Sequence, residues 1–212
     1  SYEQEIGRRQ MIEAVFPAMS MQYWYFTCYI PVLILLPYLN AFLKNMDIHS
    51  MRRLILTIMG VFSIVPWIFQ TDWFGLNGGF SAFWLIILYL VGAWIKRESD
   101  EEKSIFNKCK KRYLLIMLFG IVIVQIFVRL GLDKVGEMFG KEEQLMHSFS
   151  NSTSPFILME AILLLTVFVK IKISNERLRN IITKVGAASF GVYLIHDNQY
   201  VRRFVLRDRL QW

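Results

Sequence analysis

Cysteine is scarce in this chain, and its placement rules out the frameworks it usually supports. Cys28 and Cys109 are the only two among 212 residues; the first falls in an apolar stretch and the second in a basic connection, so no disulfide framework is implied. Histidine is equally thin, and His49, His147 and His196 are too scattered in sequence to suggest a zinc site. There is no Walker-type loop and no GxGxxG, so the familiar phosphate-cradling loops are missing. Residues 1–13 are polar, with Arg8 and Arg9 beside Glu3, Glu5 and Glu13, which is not the pattern of a secretory signal. Acid and base are also missing from long runs. Ala14 to Leu43, Leu54 to Thr71, Trp73 to Ile95 and Tyr113 to Val128 contain no Asp, Glu, Lys or Arg.

Runs of this length specify a membrane. At about 1.5 Å per residue, roughly 20 helical residues cross a hydrocarbon core of about 30 Å, and fewer suffice where terminal Lys or Arg snorkel. A fifth stretch, Ser154 to Val169, is interrupted only by Glu160, and a sixth, Val185 to Ile195, is short and rich in small residues. Hydrophobic residues make up 55% of the chain, against about 45–50% in soluble domains, and the mean hydropathy is +0.38. A soluble helix would place a polar residue every third or fourth position, whereas Tyr113 to Val128 offers Gln125 alone. The expectation is an all-α polytopic transmembrane helix bundle of about six spanning helices, one domain over residues 1–212, in the cell (plasma) membrane.

A net charge of +7 could indicate nucleic acid, but the basic residues lie in the connections rather than along a soluble face. Connections Lys44 to Arg53, Lys96 to Arg112 and Lys170 to Lys184 hold 15 Lys plus Arg, and Gln70 to Gly79 with Arg129 to Thr153 hold 3. The first three are therefore assigned to the cytoplasm and the other two to the outside. Anionic membrane lipid is the partner this surface implies, and no nucleic-acid partner is expected.

Polar groups within apolar stretches point to function, because burying an ionisable side chain in a bilayer costs about 2.5–3.5 kcal/mol on insertion scales. Glu160 reads either as a proton-handling or substrate-binding carboxylate or as a paired structural acid. Gln125 reads as an interhelical hydrogen-bonding group, and Arg129 as a snorkelling side chain or a substrate contact. The first stretch combines Gln22-Tyr23-Trp24-Tyr25-Phe26 and Tyr29 with Pro31 and Pro37-Tyr38-Leu39-Asn40. The aromatics suit a membrane interface, and two prolines suit a bent helix, either cavity-lining or purely structural. In the last stretch Gly186, Ser189, Tyr193, His196 and Tyr200 recur at steps of three and four, which places them on one helical face. That face is either a packing seam or the wall of a polar cavity. Phe190, Val192, Leu194 and Ile195 cover much of the remainder. Asp197 points about 100° away from its neighbour His196, so a partner for the imidazole has to come from elsewhere.

Tyr23-Trp24-Tyr25-Phe26, Tyr29, Pro37-Tyr38-Leu39-Asn40, Ser154-Pro155-Phe156 and Ser189-Phe190-Gly191-Val192-Tyr193-Leu194-Ile195-His196, in that order, resemble successive signatures of the acyltransferase-3 family of integral membrane O-acyltransferases. The resemblance implies transfer of an acyl group, commonly acetyl from acetyl-CoA, to hydroxyls of extracytoplasmic glycans or related polymers. It also implies about ten membrane helices. The chain is thus expected to be the C-terminal part of an incomplete domain, with about three helices before Ser1, at least one after Trp212, and the family's best-known catalytic histidine and arginines in the missing N-terminal part. On this reading His196 is the candidate general base, and Tyr25, Asn40, Glu160, Ser189 and Tyr193 are candidate substrate-binding residues. An acyl-CoA is the donor, Lys108 to Arg112 offer contacts for its phosphates, and no metal is required. A transporter or flippase lined by the bent first helix and Glu160 is the alternative, and a silent membrane scaffold a second; only an acyltransferase consumes a thioester.

Overall fold

The computed structural model describes residues 23–101, 104–139 and 151–198, and all regular structure among them is helical. The chain forms two compact units that divide between Ile30 and Pro31 and between Ile171 and Lys172. Helix α1, Trp24–Lys44, crosses the first boundary and continues unbroken through Pro31 and Pro37.

The unit Pro31–Ile171 holds most of the helices. A tight turn after α1 leads to Asp47, whose carboxylate caps α2 by accepting the Ser50 N–H at 3.0 Å. Hydrogen bonds from Ser50 hold that carboxyl at about 2. Helix α2, Ile48–Phe69, widens into a π-helical turn at Gly60–Ile64 immediately before Pro66. The cause is local, since proline lacks an N–H and its ring crowds the carbonyl four residues back. The π turn aims Ser63 at the loop that precedes Pro155, where its hydroxyl donates to the Thr153 carbonyl at 2.7 Å.

Gln70 closes α2 in the left-handed region, and Asp72 then accepts the Leu76 and Asn77 N–H groups at 2.8 and 2.6 Å. Gly78 and Gly79 follow, both at positive φ. A Cβ on Gly79 would lie 2.7 Å from the Ser152 Cβ, so glycine is what allows the loops around Gly79 and Ser152 to touch.

Helix α3, Ala82–Asp100, is capped by Ser81, whose hydroxyl accepts the Trp84 N–H. Its core face presents Trp84, Ile87, Val91, Ile95 and Glu98 at the spacing of one helical stripe. Those apolar side chains pack with Met51 and Ile55 of α2 and with Leu158 and Ile162 of α6, Pro155–Val169. A short helix α4, Ile105–Lys108, precedes α5, Lys111–Phe139. Helices α5 and α6 meet through Leu114, Leu163 and Val167.

Over residues 113–127 the remaining surface of α5 is mostly apolar and exposed. Only 6% of its stretch Lys111–Val128 is buried, while Ile116, Phe119, Ile126 and Phe127 are exposed. Lipid is the solvent that such a face fits, because tails are as apolar as these side chains and leave helix association to close packing and polar bonds. By length and composition α1, α2 and the Lys111–Val128 part of α5 can each cross a membrane, whereas α6 is 15 residues long. Helix α3 carries Lys96, Arg97, Glu98 and Asp100 near its end, so it falls short of that standard. The chain is an all-helical transmembrane protein.

In the smaller unit, α7, Glu176–His196, starts at Asn175, whose side chain accepts the Arg177 and Leu178 N–H groups. It packs with the Trp24–Ile30 part of α1 through aromatic rings.

Orientation is open to direct measurement. Single cysteines at Asn77 and Ser148, in a version lacking Cys28 and Cys109, are expected to react from outside intact cells, and one at Lys108 is not. Ser104 is a poor inner position, since it is fully buried and donates to Glu98. Labelling of Lys108→Cys from outside would reverse the charge-based assignment.

Candidate functional site

Side chains on the face of α3 opposite its core stripe line an open-sided cavity of about 770 Å³ with the end of α1 and Met51 of α2. Tyr89, Gly92, Ala93, Lys96, Arg97 and Asp100 come from α3, and Asn40 and Lys44 from α1. Successive steps of three and four residues put the α3 group on one face, so the cavity follows the helix axis. Its composition changes along that axis. Lys44, Lys96, Arg97 and Asp100 gather at the end carrying the basic connections, three cations against one carboxylate, while Asn40, Tyr89, Gly92 and Ala93 are uncharged. Arg97 is fixed by donating from Nη1 to the Leu43 carbonyl at 2.8 Å, near the negative end of α1. Tyr89 donates to the Asn40 Oδ1 at 2.5 Å, joining the two helices within the apolar stretch. Asn40 therefore lies in a cavity wall, with its amide N–H groups still able to donate.

On the reverse side of α3, Glu98 is 3% exposed and surrounded by donors. Arg52 of α2 reaches it through Nε and through Nη2 at 2.9 Å, Trp94 donates at 3.1 Å and Ser104 donates its hydroxyl. The bonds from Arg52 hold the carboxyl below the usual carboxylate range, with further help from Ser104 and Trp94 against the opposing effect of burial. The rotation of α3 that turns Lys96, Arg97 and Asp100 toward the cavity is thereby pinned.

The smaller unit gathers a second set of candidates. Tyr25 stacks on Tyr29 at 5.7 Å and meets Tyr193 edge to face at 5.6 Å. The Tyr193 hydroxyl donates to Asp197 at 3.1 Å, and Asn198 donates to the Tyr23 hydroxyl at 2.9 Å. Asp197 thus serves Tyr193 and not its neighbour His196. Ser189 donates to the Gly186 carbonyl at 2.6 Å and is exposed, as is His196. Phe190, assigned from periodicity to the remainder of the helix, packs on Phe26 at 5.7 Å with Tyr193 beside it. One step of three residues separates Phe190 from Tyr193, so both border the face turned to α1. Tyr200 lies outside the described residues.

Glu160 is half-buried on α6, and its Oε1 has no hydrogen-bond partner among the described residues. The Gln125 Nε2 on α5 is in the same condition. Lys108, Lys110, Lys111 and Arg112 do not line the cavity; Arg112 lies 5.9 Å from the centre of the Tyr113 ring. Lys44, Lys96 and Arg97 are the cations that do line it. The sequence signal for them was the spacing Tyr89, Gly92, Lys96, Asp100 running out of an apolar stretch, a polar stripe opposite the buried face of the helix.

A family model described as an acyltransferase domain matches residues 9–206. The chain belongs to the acyltransferase-3 family. Membership agrees with apolar helices and makes an acyl donor part of the chemistry. No curated protein and no solved structure matches the chain.

Proposed function

We propose that this family member is a multi-pass plasma-membrane acyltransferase, with six crossings, that moves an acyl group, acetyl in the simplest case, from acyl-CoA to a hydroxyl of a cell-envelope glycan or related polymer. The cavity of the larger unit carries the reading. Its cationic mouth lies at the end assigned to the cytoplasm, where an acyl-CoA is made and where phosphates would meet Lys44, Lys96 and Arg97. Its uncharged interior suits the amide-bearing arm of such a donor. Positive charge at this end would also attract the anionic donor before it docks.

The proposed chemistry is thioester-to-hydroxyl transfer. The imidazole of His196 accepts the hydroxyl proton as the oxygen attacks the thioester carbonyl; the C–S bond breaks, and the departing thiolate receives the proton. An imidazole can both take up and return a proton, as a general base that later acts as a general acid must. Tyr25, Ser189 and Tyr193 present hydroxyls to the polymer acceptor, Asn40 contacts the donor, and Glu160 is assigned to the substrate path. The reaction needs neither a metal nor nucleic acid.

Membranes containing the complete protein are expected to release free CoA from acetyl-CoA only when a hydroxyl-bearing polymer is supplied. Lys44→Glu with Lys96→Glu should raise KM for acetyl-CoA by about tenfold or more, since each lost charge-assisted contact is worth roughly 1.5–3 kcal/mol. Substrate flux without thioester cleavage would favour a transporter. Unchanged polymer acylation in a host lacking the protein would overturn the enzyme reading.

A further inference from the structure

Asn40 is a primary amide in an apolar run, and only part of its hydrogen-bonding capacity is used within the fold. Its Oδ1 accepts the hydroxyl of Tyr89 at 2.5 Å, a bond between α1 and α3 that fixes how the amide is turned. No other hydrogen bond of Asn40 occurs among the described residues, so both Nδ2–H groups remain to donate. The side chain is exposed on the open-sided cavity. An unpaired donor is costly among apolar helices in a membrane, and the cavity is where an acceptor for it can be supplied.

The neighbouring charges say what kind of acceptor that is. Lys44 lies one turn on from Asn40 along α1, about 6 Å at 1.5 Å per residue, and Lys96 lies two turns on from Tyr89 along α3, about 10 Å. Each wall thus offers a cation and, within about 10 Å of it, a neutral hydrogen-bonding group. An acyl-CoA carries the matching pair, since its pyrophosphate is followed, after a short branched carbon stem, by the carbonyl of the first amide in its pantetheine arm. We propose that Asn40 donates from Nδ2 to that carbonyl while the phosphates meet Lys44 and Lys96, and that Tyr89 is the positioning residue that turns the amide toward it. In an open-sided cavity selection then comes from polar contacts at a set spacing. A phosphate without an amide arm, on a nucleotide or on a lipid headgroup, makes only the ionic part of them. This rests on the reading of the cavity as the donor site.

The test is equilibrium binding of two radiolabelled ligands to the full-length protein in detergent, acetyl-CoA and adenosine bisphosphate, which keeps a phosphorylated nucleoside and lacks the arm. Asn40→Leu is expected to weaken acetyl-CoA by about three- to tenfold, the range for one lost hydrogen bond, and to leave adenosine bisphosphate unmoved. Tyr89→Phe, which keeps the ring and removes the donor, should change the ratio in the same direction by about two- to threefold, and it decides the matter should Asn40→Leu fail to accumulate in the membrane. Lys96→Glu should weaken both ligands. A purely structural pair would weaken both ligands together in the Asn40 and Tyr89 variants; that result, or no change in either variant, overturns recognition of the arm and, with both ligands weakened by Lys96→Glu, leaves the donor site standing. A selective loss in Asn40→Leu with none in Tyr89→Phe overturns the positioning role. No effect of Lys96→Glu, or no acetyl-CoA binding by the unsubstituted protein, overturns the donor site itself.

Discussion

His196→Ala in the complete protein is expected to remove most acyl transfer while leaving insertion and folding intact. The imidazole is exposed at the end of α7, and no hydrogen bond or ion pair involves its side chain among the described residues. Its neighbour Asp197 accepts the Tyr193 hydroxyl instead. Truncating it therefore opens no cavity and strands no buried partner, the mechanisms by which single substitutions destabilise strongly. A general base, by contrast, contributes about 10²–10⁴-fold in rate. Phe190→Ala is the packing control, because that ring rests on Phe26: it should lower the amount of inserted protein and preserve activity per molecule. The measurement is acyl transfer per correctly inserted molecule. Near-wild-type specific activity in His196→Ala would reduce the α7 face to a packing seam.

Hydropathy located helices well and their ends poorly, for a physical reason. Charge marks where lipid stops, but it does not interrupt the backbone hydrogen-bond ladder. The stretch Tyr113 to Val128 became a helix running to Phe139, and Val185 to Ile195 became one starting at Glu176. Lys, Arg and Glu are good helix formers, so helices continue past the apolar boundary until a cap or turn ends them. Asn175 is such a cap, and its side chain is bonded to two backbone N–H groups. The π turn before Pro66 went unread because a single proline inside an apolar run leaves open whether the helix kinks, breaks or widens.

The candidate site was legible in part. Asn40 stood out as an amide in an apolar run, and it does line a cavity. Tyr25 and Tyr193 stood out as aromatic and hydroxyl groups, and their rings meet. Tyr89 was hidden, since tyrosine in an apolar helix is ordinary until its hydroxyl is seen bonded to a residue 49 positions away. Glu98 was hidden more deeply. In sequence it belongs to a run of charges, Lys96 to Glu102, that reads as a solvated connection; only tertiary contact with Arg52, 46 residues earlier, makes it a buried acid.

That buried acid carries the second large expected effect. Glu98→Ala should lower the thermal midpoint of the full-length protein in detergent by the equivalent of about 3 kcal/mol, the lower end of the roughly 3–5 kcal/mol seen when one partner of a buried pair is removed. The lower end applies because the Arg52 side chain is 34% exposed and partly recovers water. The carboxyl is held below its ordinary value in the folded protein, chiefly by the Arg52 hydrogen bonds. Its stabilising contribution is therefore fully present above the unfolded carboxylate value of about 4.3 and is lost as pH falls below it toward the lowered folded value. The unsubstituted protein should lose stability more steeply than Glu98→Ala as pH drops below about 5, so the two midpoints converge in acid. Donor affinity should follow the same residue, although Glu98 lies outside the cavity lining, because its bonds fix the rotation that presents Lys96, Arg97 and Asp100 to the cavity. Parallel midpoint curves through the acid range would show that Glu98 does not titrate with folding, and acetyl-CoA affinity unmoved by Glu98→Ala would show that this ion cluster does not orient α3.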